Sequence, residues 1–146
     1  MSDDGGAPRQ RGEEGLVAVD PPELGAAVGY ANGILVPAGR RLLFVAGQIG
    51  WDAQQRLVDG GFVAQFAQAL RNVLAVVRAA GGAPADVARL TLYVRDREEY
   101  AAARREVGGA YRELMGRHFP AMALVEVKGL LEPGARLEIE ATAAVP

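Results

Sequence analysis

One segment of the sequence, residues 62–77, restricts the fold more than any other because its apolar residues recur at helical spacing. Steps of four, four, three and four positions separate its large apolar side chains, which are Phe62, Phe66, Leu70, Val73 and Val77. This spacing places all of them on one face of an α-helix. Gly81 and Gly82 follow, and glycine is common at the C-terminus of a helix. The pattern predicts an amphipathic helix that packs its apolar face against another layer.

Five other segments have the composition or the alternation that is typical of β-strands. They are residues 31–36, 41–46, 87–95, 123–128 and 136–145. The second is a continuous apolar run, as in a buried strand, and in the last three the residues alternate between two faces. Turn residues at 37–39 separate the first two segments, so we expect those two to form a hairpin.

A second helix is predicted between the strand at 87–95 and the strand at 123–128. Asp96 is a typical N-cap residue, and Glu99 stands three positions later, as in a capping box. The apolar stripe of this helix consists of Tyr100, Val107, Tyr111 and Leu114. Gly108 lies inside the helix with Gly109, and each glycine weakens a helix by about 1 kcal/mol relative to alanine. We therefore expect a kink there, or a close approach by another element.

The resulting order of elements is β-β-α-β-α-β-β. It predicts an α+β fold with a mixed sheet and both helices on one face, because a single sheet face can bury both apolar stripes. The other face of such a sheet would still be partly apolar. An exposed apolar sheet face is typical of an interface, and a closed ring of subunits would cover it.

The length of the chain, 146 residues, corresponds to one domain. Residues 1–15 are poor in apolar side chains, so we expect a disordered tail there and a single domain at 16–146. The N-terminus lacks the apolar core of a signal peptide, and no apolar run is long enough to cross a membrane. The expected location is therefore the cytoplasm, with no membrane partner.

The composition disfavours several kinds of chemistry. The chain has no cysteine and a single histidine, His118, so disulfides, thiol catalysis and Cys- or His-rich metal sites are not expected. The net charge is −2. Because no basic stripe accompanies it, nucleic acid is not an expected partner.

Four segments, taken in order, resemble the RidA/YjgF (Rid) family. They are residues 29–33, residues 43–49, residues 79–96, and residues 119–127 together with residues 137–141. Their order and spacing match the family from about residue 24 to the end of the chain. No single segment identifies the family, but the four segments in this order and at this spacing do.

The resemblance implies a chorismate-mutase-like fold and a homotrimer whose sheets pack into a barrel, with three clefts between subunits. The best-known activity of the family is hydrolysis of 2-imino and enamine acids to 2-oxo acids and ammonia, without a metal or an organic cofactor. We therefore expect a small-molecule ligand in clefts between subunits, and no cofactor.

The resemblance also assigns site residues position by position. Tyr30 corresponds to the active-site tyrosine, Gly47 to the glycine of the binding loop, and Leu124 to a backbone contact with substrate. Glu138 corresponds to the glutamate that positions water and is the candidate catalytic residue. Trp51, after the glycine-rich loop, could stack on a planar ligand, although a core or interface role is more frequent. Tyr30 and Glu138 likewise have structural interpretations, as a packing residue and as a solvated strand carboxylate.

The chain departs from the family pattern at Met122. Deaminating members have an arginine after Pro-Ala that binds the substrate carboxylate, and methionine can neither carry that charge nor donate a hydrogen bond. That corner of the cleft is therefore expected to be apolar. Cations near it in the sequence that could replace the arginine are Arg104, Arg105, Arg117 and His118, although most surface arginines are simply solvated.

Two functions remain open from the sequence. The first is a cofactor-free hydrolase or deaminase of an imine, enamine or related carbonyl compound, with a substrate different from the usual 2-imino acids. The second is a non-catalytic trimeric module that binds a ligand or protects against stress. A ribonuclease, which names in this family often suggest, is disfavoured by the net negative charge.

Overall fold

The computed structural model describes residues 14–146, so the tail predicted at 1–15 lies almost entirely outside the described residues. Six strands and three α-helices follow one another in this part of the chain. The strands are β1 (Val17–Val19), β2 (Gly33–Leu35), β3 (Arg41–Gln48), β4 (Val87–Val94), β5 (Ala121–Glu126) and β6 (Leu137–Val145). The helices are α1 (Gly61–Ala79), α2 (Arg97–Ala102) and α3 (Arg104–Met115).

Four of the strands form one sheet in the order β3-β6-β4-β5. β4 and β5 are parallel and the other neighbours are antiparallel, so the sheet is mixed, as predicted. A parallel pair needs a long crossover connection, and α2 and α3 supply it between β4 and β5. This crossover places the two helices beside β5, the strand that contains Met122 and Leu124.

Helices α1 and α3 cover one face of the sheet and enclose the core. The whole predicted stripe of α1 is buried, namely Phe62, Phe66, Leu70, Val73 and Val77. It belongs to one apolar cluster with Leu90 of β4, Ile139 of β6 and Val107 of α3. Burying a side chain of this size contributes about 1.5–3 kcal/mol, so the stripe is sufficient to fix α1 on the sheet.

The predicted hairpin between residues 31–36 and 41–46 is wrong. β2 pairs instead with β1, in a separate two-stranded sheet, and β3 pairs with β6. The side chain of Arg40 explains the change of direction, because it binds the carboxylate of Asp86 and the carbonyl oxygen of Ala144. These bonds hold the start of β3 against the end of β6, so β3 cannot turn back onto β2.

The second helix begins as predicted but is divided at a different position. The Asp96 carboxylate accepts a hydrogen bond from the backbone N–H of Glu98 at 2.9 Å, which confirms the N-cap. Glu99 does not complete a capping box, since it binds Arg136. The chain leaves helical geometry at Ala103 (φ −101°, ψ 8°) and not at the two glycines, which α3 includes without interruption.

No helix of the described residues packs on the second face of the sheet, which is partly apolar, as expected. Leu42 and Phe44 of β3 are 59% and 76% exposed, and Val125 of β5 is 43% exposed. We call this surface the open sheet face. Within residues 14–146, no helix is both long enough and apolar enough to span a membrane.

Candidate functional site

A cleft between β5 and the helices α2 and α3 brings together four of the residues singled out in the sequence: Tyr30, Arg104, Met122 and Leu124. We call it the Met122 cleft. It has two adjoining parts, of about 340 and 430 Å³, which share six lining residues: Val28, Gly29, Leu92, Tyr100, Arg104 and Met122. These volumes lie within the range of about 300–1,000 Å³ that is typical of small-molecule sites.

Strand register and one hydrogen bond explain why these residues meet. In the parallel pair, Met122 stands beside Leu90, and Leu124 stands beside Leu92. Their side chains therefore point to the sheet face that carries the helices. The backbone N–H of Ala31 donates to the carbonyl oxygen of Pro120 at 3.0 Å, which places Tyr30 next to the start of β5.

The surface of the Met122 cleft is largely apolar. Leu92, Val107 and Phe119 line it, and Met122 itself packs against the core cluster. Among residues 14–146, Arg104 and Arg112 of α3 are the two cations of the lining, and no aspartate or glutamate belongs to it. The cleft therefore offers apolar contact near β5 and positive charge only on the helix side.

Tyr111 forms a rigid part of the cleft wall. Its hydroxyl donates to the carbonyl oxygen of His118 at 2.6 Å, and its ring stacks on Phe119 with centroids 5.5 Å apart. Burial raises the pKa of this phenol well above its usual value of about 10. Tyr111 is consequently neutral at physiological pH and serves as a wall, not as a general base.

Gly47 and Glu138, the other two candidates from the resemblance, meet at a different place. Glu138 alternates along β6 with the buried Leu137 and Ile139, so its side chain points to the open sheet face. A Cβ atom added to Gly47 would lie 2.8 Å from the Glu138 carboxyl carbon and still closer to one of its oxygens. Gly47 thus leaves room for the carboxylate. In a single chain, however, this carboxylate and the Met122 cleft lie on opposite faces of the sheet.

A second carboxylate on the open sheet face is already engaged. Glu140 accepts a hydrogen bond of 2.6 Å from the Tyr93 hydroxyl. That bond raises the pKa of the Tyr93 phenol, and desolvation adds to the effect. Among the ion pairs formed within residues 14–146, none involves Glu138. Of the two glutamates, Glu138 is therefore the one better able to bind water.

The remaining candidates lie outside the Met122 cleft. Trp51 is half-buried in the loop after β3, and its carbonyl oxygen accepts a hydrogen bond from Asn72 at 2.9 Å. Arg117 and His118 line a separate cavity of about 330 Å³ on another side of Tyr30. The Nε2 atom of His118 lies 2.6 Å from the carbonyl oxygen of Val87. Among the cations considered as replacements for the missing arginine, Arg104 alone lines the Met122 cleft, and Arg105 does not.

Tyr100 and Arg112 are among the cleft residues that sequence reasoning did not assign to the site. Tyr100 was assigned to the core stripe, and its ring does contact Phe62 edge-on at 6.3 Å. Arg112 stands eight positions after Arg104, on the same face of α3. That spacing is the one feature of the sequence that could have placed Arg112 beside Arg104 in the cleft. No group of three or more potential metal ligands occurs within the described part of the chain.

Comparison with known proteins gives consistent matches over most of the chain. The model of the endoribonuclease L-PSP family matches residues 22–145. The 2-iminobutanoate/2-iminopropanoate deaminase of Capra hircus is 36% identical over 120 residues, which cover 81% of this chain and 82% of that protein. A RutC family protein of Haemophilus influenzae is 36% identical over 102 residues, covering 70% of this chain and 78% of that protein.

Solved structures extend the likeness to the fold. The Rid family protein YyfB of Yersinia pestis has a TM-score of 0.78 and 34% identity, covering 90% of this chain and all of its own. The yjgF gene product of Escherichia coli has a TM-score of 0.64 and 31% identity, covering 87% of this chain and 95% of its own. The mixed sheet with helices on one face is therefore common to this chain and to these proteins.

Proposed function

The chain belongs to the endoribonuclease L-PSP family, which includes the Rid proteins, and on this premise we propose that it binds a small imine, enamine or related carbonyl compound in the Met122 cleft and hydrolyses it. Several relatives are named 2-iminobutanoate/2-iminopropanoate deaminases, which supports the reaction class. The proposal differs from those names in the substrate. We propose that this chain is not a standard 2-iminoacid deaminase.

The proposal rests on the position of Met122. In the deaminating members that the sequence resembles, an arginine at this position binds the carboxylate next to the reactive carbon. Here a thioether side chain packs against the core instead. A carboxylate placed beside it would lose its hydration without gaining a partner, which is unfavourable by several kcal/mol. A ligand with no carboxylate next to its reactive carbon fits this end of the cleft better.

Glu138 supplies the chemistry in this proposal. As water adds to the imine carbon, the carboxylate accepts a proton from it, and the imine nitrogen takes up a proton. In the resulting carbinolamine, the protonated Glu138 gives its proton to the nitrogen, the hydroxyl group releases its proton to solvent, and the C–N bond breaks, giving a carbonyl compound and ammonia. One imine and one water are consumed for each carbonyl compound and each ammonia formed. No metal or organic cofactor is required for these steps.

A second copy of the chain is needed to bring Glu138 to the ligand, because one chain holds Glu138 and Met122 on opposite sheet faces. We propose a homotrimer in which the open sheet faces pack together as a barrel. Each site then combines Gly47 and Glu138 of one copy with the Met122 cleft of the next. The exposed Leu42 and Phe44 support such packing, because apolar faces of this kind are typical of interfaces.

A second candidate function is ligand binding without catalysis, for storage or protection against stress. The observation that favours it is the lining of the Met122 cleft, to which residues 14–146 of one chain contribute no carboxylate. A ligand that raises the melting temperature of the protein and is never turned over would establish this alternative. The name endoribonuclease suggests a third function, but the net charge of −2 does not favour RNA as a ligand.

The direct test of the proposal uses the substrate of the named relatives. 2-Iminobutanoate is generated in the assay from the amino acid by an oxidase, and its loss is followed with and without the protein. We expect no more than a slight acceleration. Hydrolysis at a rate that scales with protein concentration and far exceeds the spontaneous rate would overturn the interpretation of Met122.

A further inference from the structure

Two arginines of α3 form the positively charged side of the Met122 cleft. Arg104, Gly108 and Arg112 follow each other at intervals of four residues and therefore lie on one face of the helix. A Cβ atom added to Gly108 would be 4.0 Å from Nη1 of Arg112. The guanidinium group of Arg112 thus extends over the glycine toward Arg104, the direction in which long helical side chains point.

Within the part of the chain that the structure describes, no acidic group in the cleft neutralises these two charges. The described lining includes neither aspartate nor glutamate, and the ion pairs within residues 14–146 do not include Arg104 or Arg112. The adjoining surface, formed by Leu92, Val107 and Phe119, is apolar. An anion at the edge of such a surface is attracted more strongly than in bulk water, because the local dielectric constant is lower.

The positive charge and the apolar end lie on different sides of the cleft. Met122 and Leu124 lie on β5, whereas Arg104 and Arg112 lie on α3. Leu92 and Tyr100 line both parts of the cleft and offer apolar contact between the two ends.

From this arrangement we infer that the ligand is an acid whose carboxylate is separated from its reactive imine or carbonyl carbon by an apolar segment. Arg104 and Arg112 bind the carboxylate, for which the guanidinium group is well suited through paired hydrogen bonds. The apolar segment lies along Leu92, and the reactive carbon lies near Tyr30 and Leu124. The inference rests on the proposed function and adds the position of the negative charge in the substrate.

Three seven-carbon probes separate the position of the charge from the size of the ligand. 6-Oxoheptanoate has its carboxylate far from the ketone, its isomer 2-oxoheptanoate has the two groups adjacent, and 2-heptanone has no carboxylate. Dissociation constants for the full chain are measured by calorimetry at low salt. We expect 6-oxoheptanoate to bind at least about tenfold more tightly than either of the others, the scale of a charge-assisted hydrogen bond.

Matched arginine variants then locate the carboxylate. Arg104→Gln and Arg112→Gln are each expected to weaken binding of 6-oxoheptanoate about tenfold and to leave binding of 2-heptanone unchanged. Arg105→Gln is the control, because Arg105 is exposed on the same helix and does not line the cleft. All three positions are exposed, so circular dichroism is expected to show unchanged folding.

The outcomes distinguish this inference from the proposed function. Equal binding of 6-oxoheptanoate and 2-heptanone would overturn the role of the arginines and leave the apolar cleft intact. An equal loss in Arg105→Gln would also overturn it, because the attraction would then be a general surface effect. Tighter binding of 2-oxoheptanoate would contradict both this inference and the interpretation of Met122. Failure of all three probes to bind would count against the proposed ligand class itself.

Discussion

At the scale of single residues, the missing side chain at Gly47 determines where the Glu138 carboxylate can lie. Any Cβ atom at this position would overlap the Glu138 carboxylate. The carboxylate is at the end of a flexible side chain, so it can move away. Gly47 is therefore a positioning residue in the proposed site. A larger residue would move the carboxylate and leave the strands in place.

We predict that Gly47→Ala removes most of the catalysed hydrolysis and lowers the free energy of unfolding by less than about 1 kcal/mol, because the side chain of Glu138 can turn aside. Activity and urea denaturation are measured on the same preparation. Gly129→Ala is the control, since an added Cβ there meets nothing within 4 Å. Full activity in Gly47→Ala would show that the exact position of the carboxylate is unimportant.

The buried phenol of Tyr111 should make the free energy of unfolding depend on pH. Its pKa is raised in the folded state, so the phenol favours folding below pH of about 10, and this contribution is lost progressively as pH rises above that value. The free energy of unfolding of the wild type should therefore fall more steeply between pH 9 and about 11 than that of Tyr111→Phe. At neutral pH the variant should be less stable by about 1 kcal/mol, because the His118 carbonyl loses its donor. Parallel pH profiles for the two proteins would contradict this account.

Several residues of the candidate site could be predicted from the sequence, and others could not. Short motifs point to Tyr30, Met122 and Leu124, and the structure brings these three residues into one cleft. Arg112 belongs to no motif, and it lines the cleft because it lies on the same face of α3 as Arg104. The contact between Gly47 and Glu138 depends on the pairing of β3 with β6, which local sequence does not specify.

Among the elements, a buried ion pair attaches the start of β3 to the rest of the sheet. Nη1 of Arg40 lies 2.6 Å from Oδ1 of Asp86, and only 5% and 13% of the two side chains are exposed. Arg40 also donates to the carbonyl oxygens of Ala144 and Glu14. The pair therefore links the start of β3, the end of β6 and the turn before β4.

We predict that Asp86→Ala lowers the free energy of unfolding by about 3 kcal/mol, because it leaves the Arg40 charge buried without a carboxylate. Urea denaturation is the measurement. Glu98→Ala is the matched control, since the pair of Glu98 with Arg97 is highly exposed and should contribute less than about 0.5 kcal/mol. Similar losses in the two variants would mean that the pair does not hold β3 in place.

The elements that could be predicted from the sequence are those with a long periodic pattern. α1, β4 and β6 show clear periodicity, and all three were predicted within a few residues. β1 has only three residues, too few for a pattern, and the partner of β2 depends on contacts distant in the sequence. The two glycines of α3 did not break it, which shows that tertiary packing outweighs a local cost of about 1 kcal/mol per glycine.

In the whole molecule, the proposed trimer makes the open sheet face the link between assembly and function. The proposed trimer buries Leu42 and Phe44 and places Glu138 of one copy beside the Met122 cleft of another. Assembly and activity should therefore be lost together. A chain that stays monomeric would have the cleft without the carboxylate.

We predict that Phe44→Glu yields a folded monomer without hydrolytic activity, because a charge cannot be buried unpaired at the centre of the barrel. Sedimentation equilibrium gives the assembly state, and circular dichroism reports on folding. Val76→Glu is the control, since Val76 is a partly exposed residue of α1, on the side of the molecule away from the open sheet face. A trimer that persists in Phe44→Glu would exclude this face as the interface.

We propose that Met122 is what separates this chain from the 2-iminoacid deaminases. The most direct test is the rate of 2-iminobutanoate hydrolysis by Met122→Arg beside the wild type, with Met122→Leu as an apolar control. We expect Met122→Arg alone to accelerate the reaction, by about tenfold or more, because a new guanidinium group can bind the substrate carboxylate. Rapid hydrolysis by the wild type that Met122→Arg does not improve would contradict it.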